Sequence, residues 1–275
     1  MSVSKQLKLA LNIDKVHLKP PLELAPGWDT AEIPIWELMV PFESDEVWHK
    51  MKADIESWNQ PPLLSASHWI MEQRPCGNNK TDWDELEHLA EVSCRRMADI
   101  GCEVAGVWGN FFEIGAGGIN KAKDEALKYC EMISKYADKY GVLIALEPAA
   151  GSNTVFPSYK DGIEFVKELS KDSVRLMADL NYFLRLDQPF EDIALEPDLC
   201  LHVHVQGEKY QPNVGNCEEK ILHIFRVLRD IGYERSVSSA HPWISTEEGK
   251  EFNYRTESAK TLKFLQDLRA QVYAE

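Results

Sequence analysis

The chain has no run approaching the ~20 apolar residues that a membrane-spanning helix requires, and its six cysteines contain no C-x-x-C pair. It is also short of basic residues. Thirty Lys and Arg stand against 45 Asp and Glu, for a net charge of −15. Such a balance suits neither nucleic acid, whose phosphates require Lys and Arg to displace their counterions, nor an anionic membrane surface. No G-x-G-x-x-G follows the first apolar run, which argues against a dinucleotide-binding sheet. The N-terminal stretch M-S-V-S-K-Q-L-K-L-A-L-N-I is too short and too interrupted in its apolar part for a secretory signal. The cysteines (Cys76, Cys94, Cys102, Cys130, Cys200 and Cys217) are scattered, and a domain of this size does not need disulfides to fold. Buried free thiols in a reducing compartment are therefore the expected state. These absences together lead us to expect a cytoplasmic protein whose partner is a small molecule, either neutral or bound with the help of a cation.

No low-complexity tract or linker divides the 275 residues, and a hydrophobic content of 44% is enough for a real core. β-type apolar runs alternate with helical patterns from end to end. The runs fall at 7–13, 31–36, 62–67, 103–108, 142–147, 174–178, 200–205 and 235–239, with content such as V-L-I-A-L and L-H-V-H-V. Such content suits strands buried on both faces of a parallel sheet. Helical stripes with end signals lie between them. Ser44 can cap a helix with an inner face of Val47, Met51, Ile55 and Trp58. Thr81 precedes a second, through Leu86, Leu89, Ser93, Met97 and Ile100. A third, near 121–140, stops at Gly141, and the last, near 254–272, carries Ala259, Leu262, Leu265, Leu268 and Val272 inward. In the first connection, 14–30, Pro20, Pro21, Pro26 and Gly27 exclude a long helix. Eight strands alternating with helices predict an α/β fold, a single (β/α)8 barrel occupying residues 1–275 as one domain; such barrels typically take ~250 residues.

The active sites of such barrels lie at the C-terminal ends of the strands, so the residues that close each strand are read first. Three close on metal-grade side chains: Glu147 in A-L-E-P, Asp179 in M-A-D-L, and His204 in L-H-V-H-V. Pro148 biases Glu147 toward extended backbone. Asp179 could equally cap a helix. His202 and His204 share one side of their strand because side chains alternate with period two. His202 then sits one layer below the rim, where a hydrogen-bonded core role is its expected part. Two carboxylates and an imidazole from adjacent strands form a mixed N/O donor set suited to Mn²⁺, Mg²⁺, Co²⁺ or Zn²⁺. Trp36, Trp69, Trp108 and Trp243 fall at predicted strand ends. They could be core packing, or aromatic faces for the C–H faces of a sugar ring.

The segments E-I-P-I near 32–35, A-L-E-P at Glu147, M-A-D at Asp179, L-H-V-H-V at His202 and His204, and G-Y-E-R-S-V-S near 232–238 carry a family likeness. The chain resembles the xylose-isomerase-like sugar isomerase/epimerase family, which includes a three-zinc apurinic endonuclease branch. The resemblance implies a (β/α)8 barrel holding one divalent metal through Glu, Asp, His and a final Glu. It also implies that the two glutamates move protons on opposite faces of an enediolate. Carried over residue by residue, Glu147, Asp179 and His204 match three ligands, while the fourth position falls on Ala240. Tyr182 stands where the family often has a substrate-binding His, Tyr210 where it has Arg, and Asn153 where it has a second Glu. A standard two-glutamate ketose 3-epimerase is accordingly not expected. Nor is the endonuclease, because only His68 could match one of its histidines and the strand-four site reads Trp108, Gly109, Asn110.

The expectation is a divalent-metal isomerase/epimerase-like enzyme acting on a sugar, polyol or sugar-derived keto acid, with lyase or decarboxylase chemistry as variants. Glu147 and His241 are its candidate acid/base groups. His241 joins the site only if its strand has already ended in a loop. Glu32, Trp36, His68, Trp108, Tyr182, Tyr210 and Trp243 are candidate substrate contacts. The competing expectation is a barrel that has lost catalysis and serves as a binding or partner subunit. The partner expected is a small carbohydrate-type molecule, with no nucleic acid and no membrane, and a homo-oligomer is left open by the sequence.

Overall fold

The computed structural model describes residues 6–13, 25–58, 61–67, 81–109, 112–151, 153–239, 243–247 and 249–275. Eight short parallel strands pair in chain order and close into a barrel. They are β1 (Lys8–Asn12), β2 (Thr30–Pro34), β3 (Leu63–Ser67), β4 (Val104–Trp108), β5 (Leu143–Glu147), β6 (Val174–Asp179), β7 (Cys200–Val205) and β8 (Ser236–Ser239). The closing seam runs from Lys8 opposite Ser236 to Leu11 opposite Ser239. Every residue of β7 and β8 is buried, as expected for strands covered on one side by helices and on the other by the barrel interior.

Around the barrel run α1 (Ile35–Leu38), α2 (Asp45–Ser57), α3 (Trp83–Asp99), α4 (Gly118–Tyr140), α5 (Tyr159–Leu169), α6 (Leu180–Arg185), α7 (Glu218–Asp230) and α8 (Tyr254–Ala274). Their ends follow local chemistry. Ser44 accepts from Val47 N at the start of α2, Ser158 and Asp161 form a reciprocal capping box on α5, and α4 ends on Gly141 at φ 70°. These contacts satisfy backbone groups that a helix end leaves unpaired. No helix of the described residues is long and apolar enough to cross a membrane. The five described cysteines are free thiols, and Cys76 lies outside the described residues.

Several expected details shift. The cap of α3 is Asp82, one residue after Thr81. In α2 it is Trp48 that points inward, its Nε1 donating to Asp99 at 3.0 Å, while Val47 is exposed. In α8 Ala259 is exposed, and Ser258 and Thr261 take the inner face beside Leu262 and Leu265. Strand β2 stops at Pro34, so Trp36 falls in the single turn α1. The connection after β6 is the short α6 followed by two 3₁₀ turns, Phe190–Leu195 and Pro197–Leu199.

Two register shifts bear on function. One lies between Ala31 and Glu32 on the β2–β3 seam, the other between Leu176 and Met177 on the β6–β7 seam. Such irregularities re-aim the side chains that follow. Beyond the first, Glu32 lies beside Asn12 on β1 and Ser65 on β3. Beyond the second, Asp179 lies beside His204, and on the neighbouring seam Trp108 lies beside Glu147. Beneath this polar layer Val104, Ala145, Met177 and Leu201 form a small apolar cluster separate from the main core.

Candidate metal centre

Glu147, Asp179 and His204 end or nearly end three consecutive strands. Each offers a donor atom, and these atoms lie within 4.8 Å of one another. His204 Nδ1 faces Asp179 Oδ2 at 3.7 Å. Asp179 does both things its position suggested. Its Oδ1 caps α6 by accepting from Asn181 N at 2.7 Å, and its Oδ2 turns toward the imidazole. The cap fixes the carboxylate's rotation, so the helix start aims the ligand.

A second group shares His204. Glu32, His202 and His204 also bring donor atoms within 4.8 Å of one another, all three side chains being buried. Glu32 Oε1 accepts from Asn12 Nδ2 at 2.6 Å and meets His204 Nε2 at 3.0 Å. Its Oε2 accepts from Ser65 Oγ at 3.2 Å and contacts His202 Nε2. Glu32 was expected at the substrate. The structure instead buries it completely below the rim, with both oxygens engaged by these four residues. His202 takes the hydrogen-bonded core part expected of it.

The electrostatics of the two groups differ. Burial raises Glu147, and the charge of Asp179 raises it further, so that it lies well above the ordinary carboxylate value despite the pull of His204. Burial would also raise Glu32, but the charges and hydrogen bonds of His204 and His202 outweigh it and hold Glu32 well below. His204 is disfavoured as a cation by burial, yet Glu32, Asp179 and Glu147 lift it well above the usual imidazole range. Burial lowers His202. The donor set fits a divalent cation. Two carboxylates crowd one another at the end of a barrel, and a cation between them and His204 Nδ1 would relieve the repulsion that helps hold Glu147 above its ordinary value.

Trp108 Nε1 donates to the Tyr182 hydroxyl at 2.6 Å, joining two expected substrate contacts beside the trio. Burial, with the charges of Glu147 and Asp179, raises Tyr182 far above its ordinary value, so it holds its proton. Trp36 stacks on Phe42 at 5.0 Å between ring centroids, and Trp243 packs edge-on to Tyr254 at 5.2 Å. The indole N–H groups of both tryptophans are buried without a partner among the described residues. Tyr210 lies in the loop after β7, where its carbonyl accepts from Gly207 N, and its side chain makes no hydrogen bond to the trio. His68, Trp69, Ala240 and His241 lie outside the described residues. Reading strand ends alone missed Asn12 and Ser65. Their signal was a polar residue inside an apolar strand, Asn12 in K-L-A-L-N and Ser65 in L-L-S-A-S.

A closed parallel barrel whose acidic and imidazole side chains converge where β5, β6 and β7 end is a (β/α)8 protein with its candidate site at the C-terminal face, where such barrels carry their chemistry. The model of the xylose isomerase-like TIM barrel family matches residues 27–268, and the chain belongs to that family. Solved structures share the fold at low identity. The xylose isomerase domain protein from Alicyclobacillus acidocaldarius superposes with a TM-score of 0.74 at 13% identity, over 97% of this chain and 99% of that one. The 3-keto-D-glucoside 4-epimerase YcjR from E. coli gives 0.69 at 15%, over 98% and 100%. IolI, solved with a zinc atom bound, gives 0.65 at 14%, over 98% of each chain. No curated protein sequence matches the chain.

Proposed function

We propose that the chain is a divalent-metal-dependent isomerase/epimerase-like enzyme acting on a sugar, polyol or sugar-derived keto acid, with Glu147, Asp179 and His204 as metal ligands. The observation that carries this reading is the convergence of two carboxylates and one imidazole from β5, β6 and β7 within 4.8 Å. A bound Mn²⁺, Co²⁺, Mg²⁺ or Zn²⁺ would polarise a substrate carbonyl and stabilise negative charge on an enediolate oxygen. Glu147 is the candidate to move the proton next to that carbonyl. Tyr182, whose oxygen accepts from Trp108 Nε1, keeps its own hydrogen for a substrate oxygen at the rim. Asp179 and His204 orient rather than exchange protons, since each is tied on its far side, to Asn181 N and to Glu32.

The same reading takes the whole chain as one barrel domain acting on a small carbohydrate. It favours one-base isomerisation, dehydration or decarboxylation over the two-glutamate epimerisation, because Ala240 stands at the fourth ligand position. The experiment is a panel of ketoses, aldoses and sugar-derived keto acids incubated with metal-loaded protein in D₂O, followed by NMR. Deuterium incorporation next to the carbonyl that is lost in Glu147→Gln supports the reading. Metal binding without exchange or turnover on any panel member favours the binding-subunit alternative.

A further inference from the structure

His204 presents one ring nitrogen to each of the two buried groups. Nδ1 faces Asp179 Oδ2 at 3.7 Å, and Nε2 lies 3.0 and 3.2 Å from the two oxygens of Glu32. An imidazole that donates from one nitrogen offers the lone pair of the other, and the partner of the donating nitrogen decides which is which. We propose that Glu32 is a positioning residue for the metal centre. It keeps the proton of His204 on Nε2, so that when a cation displaces the proton of Nδ1 that nitrogen turns its lone pair toward Glu147 and Asp179. The inference rests on the metal-site reading above.

Glu32 is built for this part. It is fully buried, so it can only act through its neighbours. Asn12 Nδ2 at 2.6 Å and Ser65 Oγ at 3.2 Å fix its two oxygens from the strands on either side, and His202 Nε2 engages Oε2 from below. Asn12 is itself tied through its carbonyl to the Tyr254 hydroxyl at 2.6 Å, which anchors the network to α8. Each carboxylate oxygen thus holds a contact other than His204, leaving the imidazole one acceptor to meet and one orientation to adopt. A second metal ion among Glu32, His202 and His204 fits less well. Asn12 and Ser65 direct donors, not lone pairs, at the carboxylate, and Glu32 and His202 are 0% and 2% exposed.

The test reads metal binding and tautomer rather than turnover. Wild type, Glu32→Gln and Thr261→Val are titrated with Co²⁺ and Zn²⁺ against a chromophoric chelator. In Glu32→Gln the new amide can donate to Nε2 and favour the proton on Nδ1, so affinity is expected to fall by about 10- to 100-fold. Thr261→Val, equally buried but in α8 and outside this network, should change affinity by less than about 3-fold on the same reasoning. Equal losses in both variants would mean a general disturbance of the barrel interior and would overturn the proposal. So would unchanged affinity in Glu32→Gln, which leaves the metal site itself standing. Binding of two equivalents by wild type, with one lost in Glu32→Gln, would instead make Glu32 a ligand and overturn the positioning role. Because Glu32→Gln could fail to fold, wild type alone supplies a second readout. In Zn²⁺-loaded, ¹⁵N-labelled protein, long-range ¹H–¹⁵N correlations should place the His204 proton on Nε2. A proton on Nδ1 overturns the proposal, and absence of any metal binding by wild type overturns both it and the reading on which it rests.

Discussion

Replacing Glu147 by Gln should change the sign of a stability difference when metal is added. Without metal, burial and the charge of Asp179 push the Glu147 carboxyl well above its ordinary value. A carboxyl raised on folding stabilises most below its unfolded value, and that contribution is lost as pH rises toward the folded value. Metal-free wild type should therefore lose stability relative to Glu147→Gln as pH rises from about 4 toward neutral, because the amide cannot ionise against Asp179. With metal the order reverses. A ligand present at 100 times its Kd stabilises by about 2.7 kcal/mol. The unfolding entropy of a chain of 275 residues, at ~2.1 cal/mol/K per residue, turns that into a Tm increase of about 5 °C. Glu147→Gln, having lost a charged ligand, should gain at most about 1 °C at the same metal concentration by that scaling. Differential scanning calorimetry at pH 5 and pH 7.5, with chelator and with Co²⁺ or Mn²⁺, reads all of these values. Equal metal shifts in the two proteins would refute the reasoning, and so would a metal-free variant that loses stability relative to wild type as pH rises.

Other substitutions probe the scaffold that holds the site. A Cβ on Gly109 would sit 2.4 Å from the carbonyl oxygen of Glu147 and 2.7 Å from Phe156 Cε2, so Gly109→Ala should cost about 1–3 kcal/mol in urea unfolding and weaken metal binding. Arg96 is 1% exposed and donates to the carbonyls of Met39, Val40 and Glu43, holding Val40 at φ 40°. Arg96→Met removes the donors to all three carbonyls, of which, among the described residues, only that of Val40 keeps another partner, Glu43 N, and should cost about 3 kcal/mol by the same assay, with Arg96→Lys failing to restore it because an ammonium cannot span the fork. Hydrogen bonds from Arg95 and Arg96 lower Asp45 to about 2. The stability gap between wild type and Asp45→Asn should stay level above about pH 5 and close as pH falls through about 4 to 2, which urea titration across that range checks. Trp108→Phe removes the donor to Tyr182 and should cost about 1 kcal/mol of stability, leaving metal affinity unchanged in a chelator competition.

The barrel was legible because its strands are covered on both sides. Runs such as Leu143–Glu147 and Cys200–Val205 are near-continuous apolar stretches, and helices between the strands announce their ends with Ser44 and Gly141. The convergence of Glu147, Asp179 and His204 was legible for a related reason, since ionisable residues closing consecutive strands of a barrel must meet at one rim. What sequence could not carry was register. The shifts at Ala31/Glu32 and Leu176/Met177 leave no mark in the residue pattern, yet they decide that Glu32 meets Asn12, Ser65 and the histidines below the rim. Helix rotation was the other gap. Val47 and Trp48 are adjacent apolar residues, and only packing against α3, through Asp99, decides that Trp48 turns inward. In α8 the inner face is made partly by Ser258 and Thr261, with Thr261 Oγ1 donating to the Pro212 carbonyl at 3.0 Å. An apolar stripe could not show that.

The central claim is that Glu147, Asp179 and His204 hold one divalent cation. Metal analysis of wild type and Asp179→Asn, both purified without chelator and then titrated with Mn²⁺, Co²⁺ and Zn²⁺ by calorimetry, tests it most directly. The account predicts close to one equivalent bound to wild type, with proton release on binding, and loss of that equivalent in folded Asp179→Asn. A folded wild type that binds none of the three ions, or an Asp179→Asn protein that binds them as tightly, would contradict it.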